Sequence, residues 1–325
     1  MSLPKVFVTR RIQEAGLEIL RRVSEIDVWE GELPPPYAVL SERARGAAGL
    51  LTLLSDRIDG ALMDAVGPQL KVIGQYAVGF DNIDIAAATA RHIPVGNTPG
   101  VLTETTADFA WTLLMAAARR VVEGDRFTRA GKWQTWGPTI LLGQDVFGAT
   151  LGIVGFGRIG QAMARRAQGF GMRVLYTDVQ RNPEGEQALR AEYVSFERLL
   201  AESDYVTIHT NLSAETRHLF GPAQFAQMKP TAILINTARG PIVDETALYQ
   251  ALFSGQITAA GLDVTEIEPL PVESPLLRLE NIVIAPHIAS GSVQTRTKMA
   301  TIAAENVAAG LQGRRLSHCV NPEVY

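Results

Sequence analysis

Cysteine is nearly missing from this chain of 325 residues, in which Cys319 is the only one. A single cysteine cannot form an intrachain disulfide and argues against a cysteine-based metal site. The spacing of the histidines and carboxylates does not resemble a metal site either. We therefore expect a protein of the cytoplasm, a reducing compartment, that binds no metal ion.

Long apolar runs and clusters of basic residues are also missing. No uncharged apolar run approaches the roughly 20 residues that span a bilayer, so we expect no membrane partner. The formal net charge is −4, and a protein of that charge does not attract a polyanion. Nucleic acid is therefore not an expected partner.

The composition is otherwise that of a globular protein, with 46% hydrophobic and 20% charged residues. A length of 325 residues exceeds the roughly 100–200 residues of a typical domain. The sequence therefore predicts two domains with a cleft between them.

Short apolar runs alternate with segments of helical periodicity, which is typical of parallel strands covered by helices on both faces. Near the N-terminus, Gln13–Val23 is a predicted helix. The predicted strands of this region are Lys5–Thr9, Ile26–Trp29, Gly49–Leu53 and Lys71–Tyr76. The strands of a second, more regular series are Leu151–Gly155, Arg173–Thr177, Tyr205–His209, Ala232–Asn236, Ala259–Val264 and Asn281–Ala285. This second series predicts a doubly wound sheet.

The last predicted helix, Ser292–Leu311, follows the final strand of the second series. It has no obvious place in that series, so we expect it to return to the N-terminal domain. The chain would then cross between domains near Pro99–Thr103 and again near Pro286–Ala289.

A glycine pattern follows the first strand of the second series. It consists of Gly155, Phe156, Gly157, Arg158, Ile159 and Gly160, and a predicted helix, Gln161–Phe170, comes next. In the context of a strand and a helix, such glycines permit a tight turn, a close approach to a pyrophosphate and close helix packing. Helix amides and the helix dipole would then face the phosphate charge. The pattern predicts a dinucleotide site.

An acidic residue ends the second strand of this series. Asp178 lies 18 residues beyond Gly160, close to the spacing of a ribose-binding acid. A carboxylate there accepts from a ribose 2′-hydroxyl and repels a 2′-phosphate, which favours NAD(H). Arg181 follows closely and could turn toward a 2′-phosphate, so NADP(H) stays possible.

Ionisable residues follow three later strands, where ligands bind in doubly wound sheets. Arg239 suits the binding of a carboxylate and the polarisation of a carbonyl, because its planar fork is always charged. His287 can donate and accept a proton, and Glu268 can orient its ring and stabilise the imidazolium. Together these groups suit the reduction of a 2-oxo acid by hydride.

His209 also ends a strand and is the rival to His287. It has no neighbouring carboxylate of its own in the sequence, so we expect it to be structural or to face the cofactor. We assign no chemistry to His92, His218 or His318.

Motifs along nearly the whole chain resemble the D-isomer-specific 2-hydroxyacid dehydrogenase family, and most closely its glyoxylate/hydroxypyruvate reductase branch. The motifs are Tyr76–Asp84, Asn97–Thr103, Leu151–Gly160, Ile235–Gly240, Gly261–Val264, Glu268 with Pro269, and Ala285–Ile288. The resemblance implies reduction of a small 2-oxo acid, glyoxylate or hydroxypyruvate first, with Arg239 polarising the substrate and His287 and Glu268 relaying the proton.

The resemblance also implies an α/β fold of two doubly wound parallel-sheet domains. A flavodoxin-like substrate domain would comprise residues 1–99 and 287–325, and a Rossmann coenzyme domain residues 100–286. Members are usually homodimers joined through the coenzyme domain. Further cofactor contacts implied by the resemblance are Thr106, Val179, Gln180, Thr237, Ala238 and Asp263, and the implied substrate contacts are Leu53, Val78, Gly79 and Arg239.

The family pattern is not matched everywhere. Ala289 stands where relatives often have glycine, Thr265 where many have phenylalanine, and Asn211 where proline is frequent. Alternative substrates are therefore lactate, glycerate or a larger 2-hydroxy acid. Phosphite dehydrogenases are similar too, but they carry lysine where Val78 stands. A hypothesis from a different functional class is a non-catalytic NADH sensor, since some transcriptional corepressors resemble this family.

Overall fold

The computed structural model describes residues 3–325. The described chain divides into two compact units. The N-terminal unit runs to Leu102 and resumes at Gly291–Tyr325, and the central unit is Thr103–Ser290. The boundaries expected from the sequence fall after residues 99 and 286.

The N-terminal unit contains a parallel sheet of five strands in the order β2-β1-β3-β4-β5. The strands are β1 Lys5–Val8, β2 Glu25–Val28, β3 Gly49–Thr52, β4 Val72–Gln75 and β5 Val95–Gly96. Strands β3 and β4 are buried at every position and are mostly apolar, and their terminal polar residues are paired, because the Thr52 hydroxyl donates to Oε1 of Gln75 at 2.7 Å. Strand β5 lies at the edge and was not predicted, because two residues carry no periodicity.

Five α-helices of the described residues belong to this unit: α1 Glu14–Arg21, α2 Tyr37–Ala44, α3 Gly60–Val66, α4 Ile85–Ala90 and α12 Val293–Leu311. Helix α12 begins after Ser292, whose side chain accepts from the Thr295 amide. It packs on α1 and on β3 and β4. The fit is close, because a Cβ atom on Gly74 would lie 2.5 Å from Cγ2 of Val307.

The central unit contains a parallel sheet of seven strands in the order β12-β11-β10-β9-β6-β7-β8. The strands are β6 Thr150–Val154, β7 Arg173–Thr177, β8 Ala191–Tyr193, β9 Tyr205–Ile208, β10 Ile233–Asn236, β11 Ala259–Leu262 and β12 Ile282–Ile284. The order reverses between β6 and β9, where doubly wound sheets bind ligands. The predicted fold class of two parallel-sheet α/β domains is confirmed. Strand β8 was missed, since it has three residues and two of them are exposed.

The helices of the central unit cover both faces of this sheet. They are α5 Thr103–Ala118, α6 Val121–Arg129, α7 Arg158–Gly169, α8 Pro183–Leu189, α9 Phe196–Glu202, α10 Pro222–Phe225 and α11 Glu245–Phe253. Successive strand residues point to opposite faces, so Ile153 and Tyr176 join one core and Val154 and Leu175 the other. Three short 3-10 helices occupy Gly240–Ile242, Pro275–Arg278 and, in the N-terminal unit, Pro322–Val324. Of the helices in residues 3–325, none combines the length and hydropathy that a bilayer span requires.

Candidate active site

The three glycines between β6 and α7 occupy three different environments. Gly155 has a φ of 93°, and a Cβ atom there would lie 2.7 Å from the backbone at His209 and Thr210. A Cβ atom on Gly160 would lie 2.2 Å from the Gly155 carbonyl oxygen. A Cβ atom on Gly157, in contrast, would meet nothing within 4 Å. The turn is therefore closed on two sides and open at its middle glycine.

This turn has the properties that a dinucleotide needs. Open space adjoins Gly157 at the start of α7, a helix of 12 residues, so the positive end of its dipole faces that space. Thr237, which follows β10, has a buried Oγ1 atom without a hydrogen-bond partner among the described residues. An orphaned polar atom beyond the carboxyl end of a strand in this sheet, where doubly wound sheets bind ligands, fits a bound cofactor. The predicted helix start at Gln161 was too late, because α7 begins at Arg158.

Asp178 connects the end of β7 to the glycine turn. Its Oδ2 atom accepts from the Phe156 amide at 2.6 Å, and its Oδ1 atom accepts from the Val179 amide at 2.7 Å. A carboxylate oxygen has two lone pairs, so each can accept a further hydrogen bond from a ribose hydroxyl. The side chains of Val179 and Gln180 are exposed beside it, and Thr106 is buried in α5.

Arg239 follows β10 in a turn that Asn236 fixes. The Nδ2 atom of Asn236 donates to the Arg239 carbonyl at 2.9 Å, and its Oδ1 atom accepts from the Ala238 amide at 3.0 Å. The half-buried guanidinium donates from Nη1 to the Ala238 carbonyl at 2.7 Å. A buried asparagine at a strand end was the available sequence signal for this support, and sequence reasoning passed over it.

Gly240 brings the Arg239 turn against the loop that follows β11. A Cβ atom on Gly240 would lie 1.9 Å from both the carbonyl carbon and oxygen of Thr265. No side chain fits there, so glycine is required by close approach rather than by a positive φ. The contact joins the turn that carries Arg239 to the loop that carries Glu268.

Glu268 and His287 form the hydrogen-bonded pair that the sequence predicts. The Oε2 atom of Glu268 lies 2.7 Å from Nδ1 of His287, and its Oε1 atom accepts from the Thr265 amide at 3.2 Å. Burial raises the pKa of the Glu268 carboxyl, but His287, the Thr265 amide and the charge of Arg239 together bring it below its usual value. Glu268 is therefore a carboxylate at neutral pH.

The backbone at His287 is held in the left-handed region by Asp263. His287 has a φ of 53°, which is uncommon for a residue other than glycine. Its amide donates to the Asp263 carbonyl at 2.8 Å, and both Asp263 carboxylate oxygens accept at 2.7 Å, from the amides of Ile288 and Ala289. Burial raises the pKa of Asp263, whose exposure is only 1%. The sequence prediction of a cofactor contact missed this positioning role.

His209 is poorly suited to proton donation. Its Nε2 atom lies 2.8 Å from the Thr207 hydroxyl, and burial lowers its pKa to about 3. The ring is therefore neutral at working pH. Its backbone packs against Gly155, which places this residue beside the glycine turn.

A second histidine–glutamate pair was not predicted. The Nε2 atom of His218 lies 2.6 Å from Oε1 of Glu266. The Oε2 atom of Glu266 accepts from the Glu245 amide at 3.2 Å, and the Glu266 amide donates to Oε1 of Glu245 at 2.6 Å. Because His218 and Glu266 are far apart in the sequence, spacing gave no signal for this pair.

The predicted substrate contacts Leu53, Val78 and Gly79 lie in the N-terminal unit. Each of their carbonyl oxygens accepts from a side-chain amide of the same unit. The donors are Asn82 to Leu53 at 3.0 Å, Asn97 to Val78 at 2.8 Å and Gln75 to Gly79 at 3.3 Å. These amide side chains fix the backbone of both loops, and sequence reasoning did not identify them.

Comparison with known proteins identifies the family. The profile of the D-isomer specific 2-hydroxyacid dehydrogenase NAD binding domain matches residues 111–289. A glyoxylate reductase of Korarchaeum cryptofilum is 55% identical over 322 residues, which cover 99% of this chain and 97% of that protein. The chain belongs to the D-isomer specific 2-hydroxyacid dehydrogenase family.

Solved structures also resemble this dehydrogenase. A protein from Thermus thermophilus has a TM-score of 0.92 at 48% identity, over 97% of this chain and 99% of that one. An NADPH-dependent glyoxylate/hydroxypyruvate reductase from Sinorhizobium meliloti, solved with NADP and malonate, has a TM-score of 0.86 at 32% identity, over 99% and 98%. The predicted family and its glyoxylate reductase branch are confirmed.

Proposed function

We propose that this dehydrogenase reduces glyoxylate, or the similarly small hydroxypyruvate, to the 2-hydroxy acid with NADH. The observation that carries the proposal is the His287–Glu268 hydrogen bond of 2.7 Å at the carboxyl ends of the strands in the central sheet. Its relative from Korarchaeum cryptofilum is a glyoxylate reductase. A bound nicotinamide supplies the hydride.

Arg239 is proposed to bind the substrate and polarise its carbonyl. Its guanidinium presents several N–H donors in one plane, which match a carboxylate and a neighbouring carbonyl oxygen. As hydride reaches the carbonyl carbon, negative charge grows on that oxygen. A fixed cation stabilises this charge more than it stabilises the neutral carbonyl, which is how it accelerates the reaction.

His287 is proposed to give its proton to that oxygen. The Nδ1 atom is engaged by Glu268, so the Nε2 atom carries the proton that is transferred. The carboxylate of Glu268 stabilises the imidazolium and fixes the ring plane. In the oxidation direction the neutral ring accepts the proton from the alcohol at the same atom.

The N-terminal unit is proposed to contribute the backbone at Val78 and Gly79, which would bind the substrate carboxylate, and Leu53, which would contact the substrate. Their carbonyl oxygens are already bonded to Asn97, Gln75 and Asn82. Those bonds keep the two loops in one conformation, which lowers the entropy lost on substrate binding. We propose that this unit is the substrate domain and that the central unit is the coenzyme domain.

NAD(H) is the proposed cofactor, because the Asp178 carboxylate would accept from the ribose hydroxyls and repel a 2′-phosphate. The residues proposed to contact it are Gly155, Phe156, Gly157, Arg158, Ile159, Gly160, Asp178, Val179, Gln180, Thr106, Thr237, Ala238 and Asp263. The relative from Sinorhizobium meliloti is NADPH-dependent, so NADP(H) is the alternative. Location in the cytoplasm stays a prediction from the sequence.

We also propose a homodimer joined through the central unit. Large apolar side chains are exposed between residues 121 and 147: Val121, Trp133, Trp136, Ile140, Leu142 and Phe147. A second copy of the chain that covered this segment would remove these side chains from water. Light scattering should show a dimer that Trp136→Asp weakens. Leu33→Asp is the control, because Leu33 is exposed to a similar extent, 77% against 80% for Trp136, but lies in the other unit. A monomeric parent protein would contradict the proposal.

The substrate is tested by following nicotinamide absorbance with NADH and with NADPH. The acids offered are glyoxylate, hydroxypyruvate, pyruvate and a bulky aromatic 2-oxo acid, and phosphite is offered with NAD. The proposal predicts the highest kcat/KM with glyoxylate or hydroxypyruvate and NADH. Preference for the bulky acid or phosphite would contradict the substrate. Tight NADH binding without turnover of any acid would indicate a sensor instead.

A further inference from the structure

The first basic residue after β7, Arg181, is paired with an acidic residue of helix α8. Its Nε atom donates to Oε1 of Glu186 at 2.8 Å, and its Nη2 atom donates to Oε2 at 2.7 Å. Both carboxylate oxygens are engaged, so this is a bidentate pair with a fixed geometry. The Arg181 side chain is 62% exposed and that of Glu186 only 14%. The less exposed carboxylate therefore fixes the position of the exposed arginine side chain.

Tyr176 of strand β7 holds the Glu186 carboxylate in place. The Tyr176 hydroxyl donates to its Oε1 atom at 2.7 Å and accepts from the Asn182 amide at 2.8 Å. The side chain of Asn182 then caps α8 by accepting from the Gly185 amide at 2.9 Å. With Arg181 and Tyr176 as donors, the pKa of Glu186 falls to about 2, so it is ionised at any working pH.

The same residues lie against the glycine turn and Asp178. The Tyr176 ring stacks on the Phe156 ring at 3.9 Å between centroids, and a Cβ atom on Gly185 would lie 2.9 Å from Cε1 of Phe156. The Phe156 amide donates to Asp178. Contacts through Tyr176 and Phe156 therefore connect the Arg181–Glu186 pair to Asp178, the carboxylate that would bind the ribose.

We propose that Glu186 is a specificity-determining residue, which favours NADH by holding the guanidinium of Arg181 away from a 2′-phosphate. Asp178 disfavours the 2′-phosphate by charge repulsion. Glu186 disfavours it by forming an ion pair with Arg181, so that this cation is not available to the phosphate. Discrimination then rests on two carboxylates rather than one. This inference rests on the proposed NAD(H) site.

The test is the ratio of kcat/KM with NADPH to kcat/KM with NADH, measured with glyoxylate. Glu186→Gln keeps an acceptor for Tyr176 but loses the charge that holds Arg181. The ratio is expected to rise roughly tenfold, the scale of one charge-assisted hydrogen bond to a phosphate. In the double variant Glu186→Gln with Arg181→Gln, the gain is expected to vanish.

Asp64→Asn is the matched control. Asp64 and Arg91 form a bidentate pair in the N-terminal unit, at 2.8 and 2.9 Å, so its loss is expected to leave the ratio unchanged. An unchanged ratio in Glu186→Gln, or an equal gain in the double variant, would overturn the proposal. The single variant Arg181→Gln, at an exposed side chain, is a further test of the proposal. A tenfold loss of NADPH affinity in this variant would show that Arg181 already binds the 2′-phosphate, which would also overturn the proposal.

Dissociation constants for NADH and NADPH, from quenching of protein fluorescence, separate this inference from the proposed reaction. A shifted ratio of these constants in Glu186→Gln without glyoxylate turnover would support the specificity role and contradict the substrate. Turnover of glyoxylate with an unshifted ratio of dissociation constants would support the substrate and contradict the specificity role.

Discussion

The central unit contains two histidine–glutamate pairs that are nearly alike in geometry. The nitrogen–oxygen distance is 2.7 Å between His287 and Glu268 and 2.6 Å between His218 and Glu266. Both histidines have a left-handed backbone, with φ values of 53° and 51°. The two glutamates are two residues apart in one loop. Residue type and distance therefore do not separate a proton relay from a structural contact.

Their surroundings do separate them. Glu268 lies in the field of the Arg239 guanidinium, and the turn at His287 is bonded to Asp263. The backbone amides of Glu266 and Glu245 instead each donate to the side-chain carboxylate of the other residue, and the His218 amide donates to the Pro241 carbonyl. The second pair fastens a loop to the start of α11. A cation and a fixed backbone beside the pair therefore distinguish the proposed proton relay from the structural contact.

The largest effect is expected from Arg239→Lys, which replaces the planar cation beside the His287–Glu268 pair. Lysine keeps the charge but cannot present a bidentate fork. We expect kcat/KM for glyoxylate to fall by about 10²–10³-fold, the usual effect of losing an oxyanion contact. Steady-state kinetics measure this, and NADH affinity by fluorescence is the control. A fall below about tenfold would remove Arg239 from the proposed role.

Replacing each glutamate separately by glutamine tests the difference between the two pairs. Glu268→Gln should lower kcat by about 10–10²-fold, because the imidazolium loses its stabilising charge. Glu266→Gln should leave kcat unchanged, because Glu266 belongs to the pair that fastens a loop. Steady-state kinetics at saturating NADH measure both variants, and equal losses of kcat would contradict the distinction between the pairs.

A smaller effect is expected at the contact between the two loops. Gly240→Ala places a methyl group 1.9 Å from Thr265, which should lower the free energy of unfolding by about 1–3 kcal/mol and reduce kcat with it. Gly169→Ala is the control, because a Cβ atom at this helix residue meets nothing within 4 Å. That variant should be neutral or stabilised by up to about 1 kcal/mol. Equal stabilities in urea unfolding would contradict the packing argument.

The sequence was sufficient for elements with clear periodicity. The buried strands β3, β4, β6 and β10 were found to within one residue of their ends, because continuous apolar runs bounded by polar residues define them. Edge strands β5 and β8 were missed because two or three residues show no pattern. Several predicted ends were too late, including those at His209 and Val264, because β9 ends at Ile208 and β11 at Leu262.

The candidate site was predictable where single residues have a fixed chemistry, as at Arg239, Glu268 and His287. What the sequence could not supply were partners determined by tertiary contact. Gly240 is visible in the sequence, but the peptide that it meets is not. The sequence likewise left Arg181 free to reach a phosphate, whereas the structure pairs it with Glu186.

The most direct test of the proposed proton relay is kcat for glyoxylate reduction in His287→Ala and in His218→Ala, measured side by side with saturating NADH. We expect a loss of about 10²–10⁴-fold in His287→Ala at unchanged NADH affinity, and a change below about threefold in His218→Ala. Full kcat in His287→Ala, or an equal loss in both variants, would contradict the assignment of His287 and Glu268 as the proton relay.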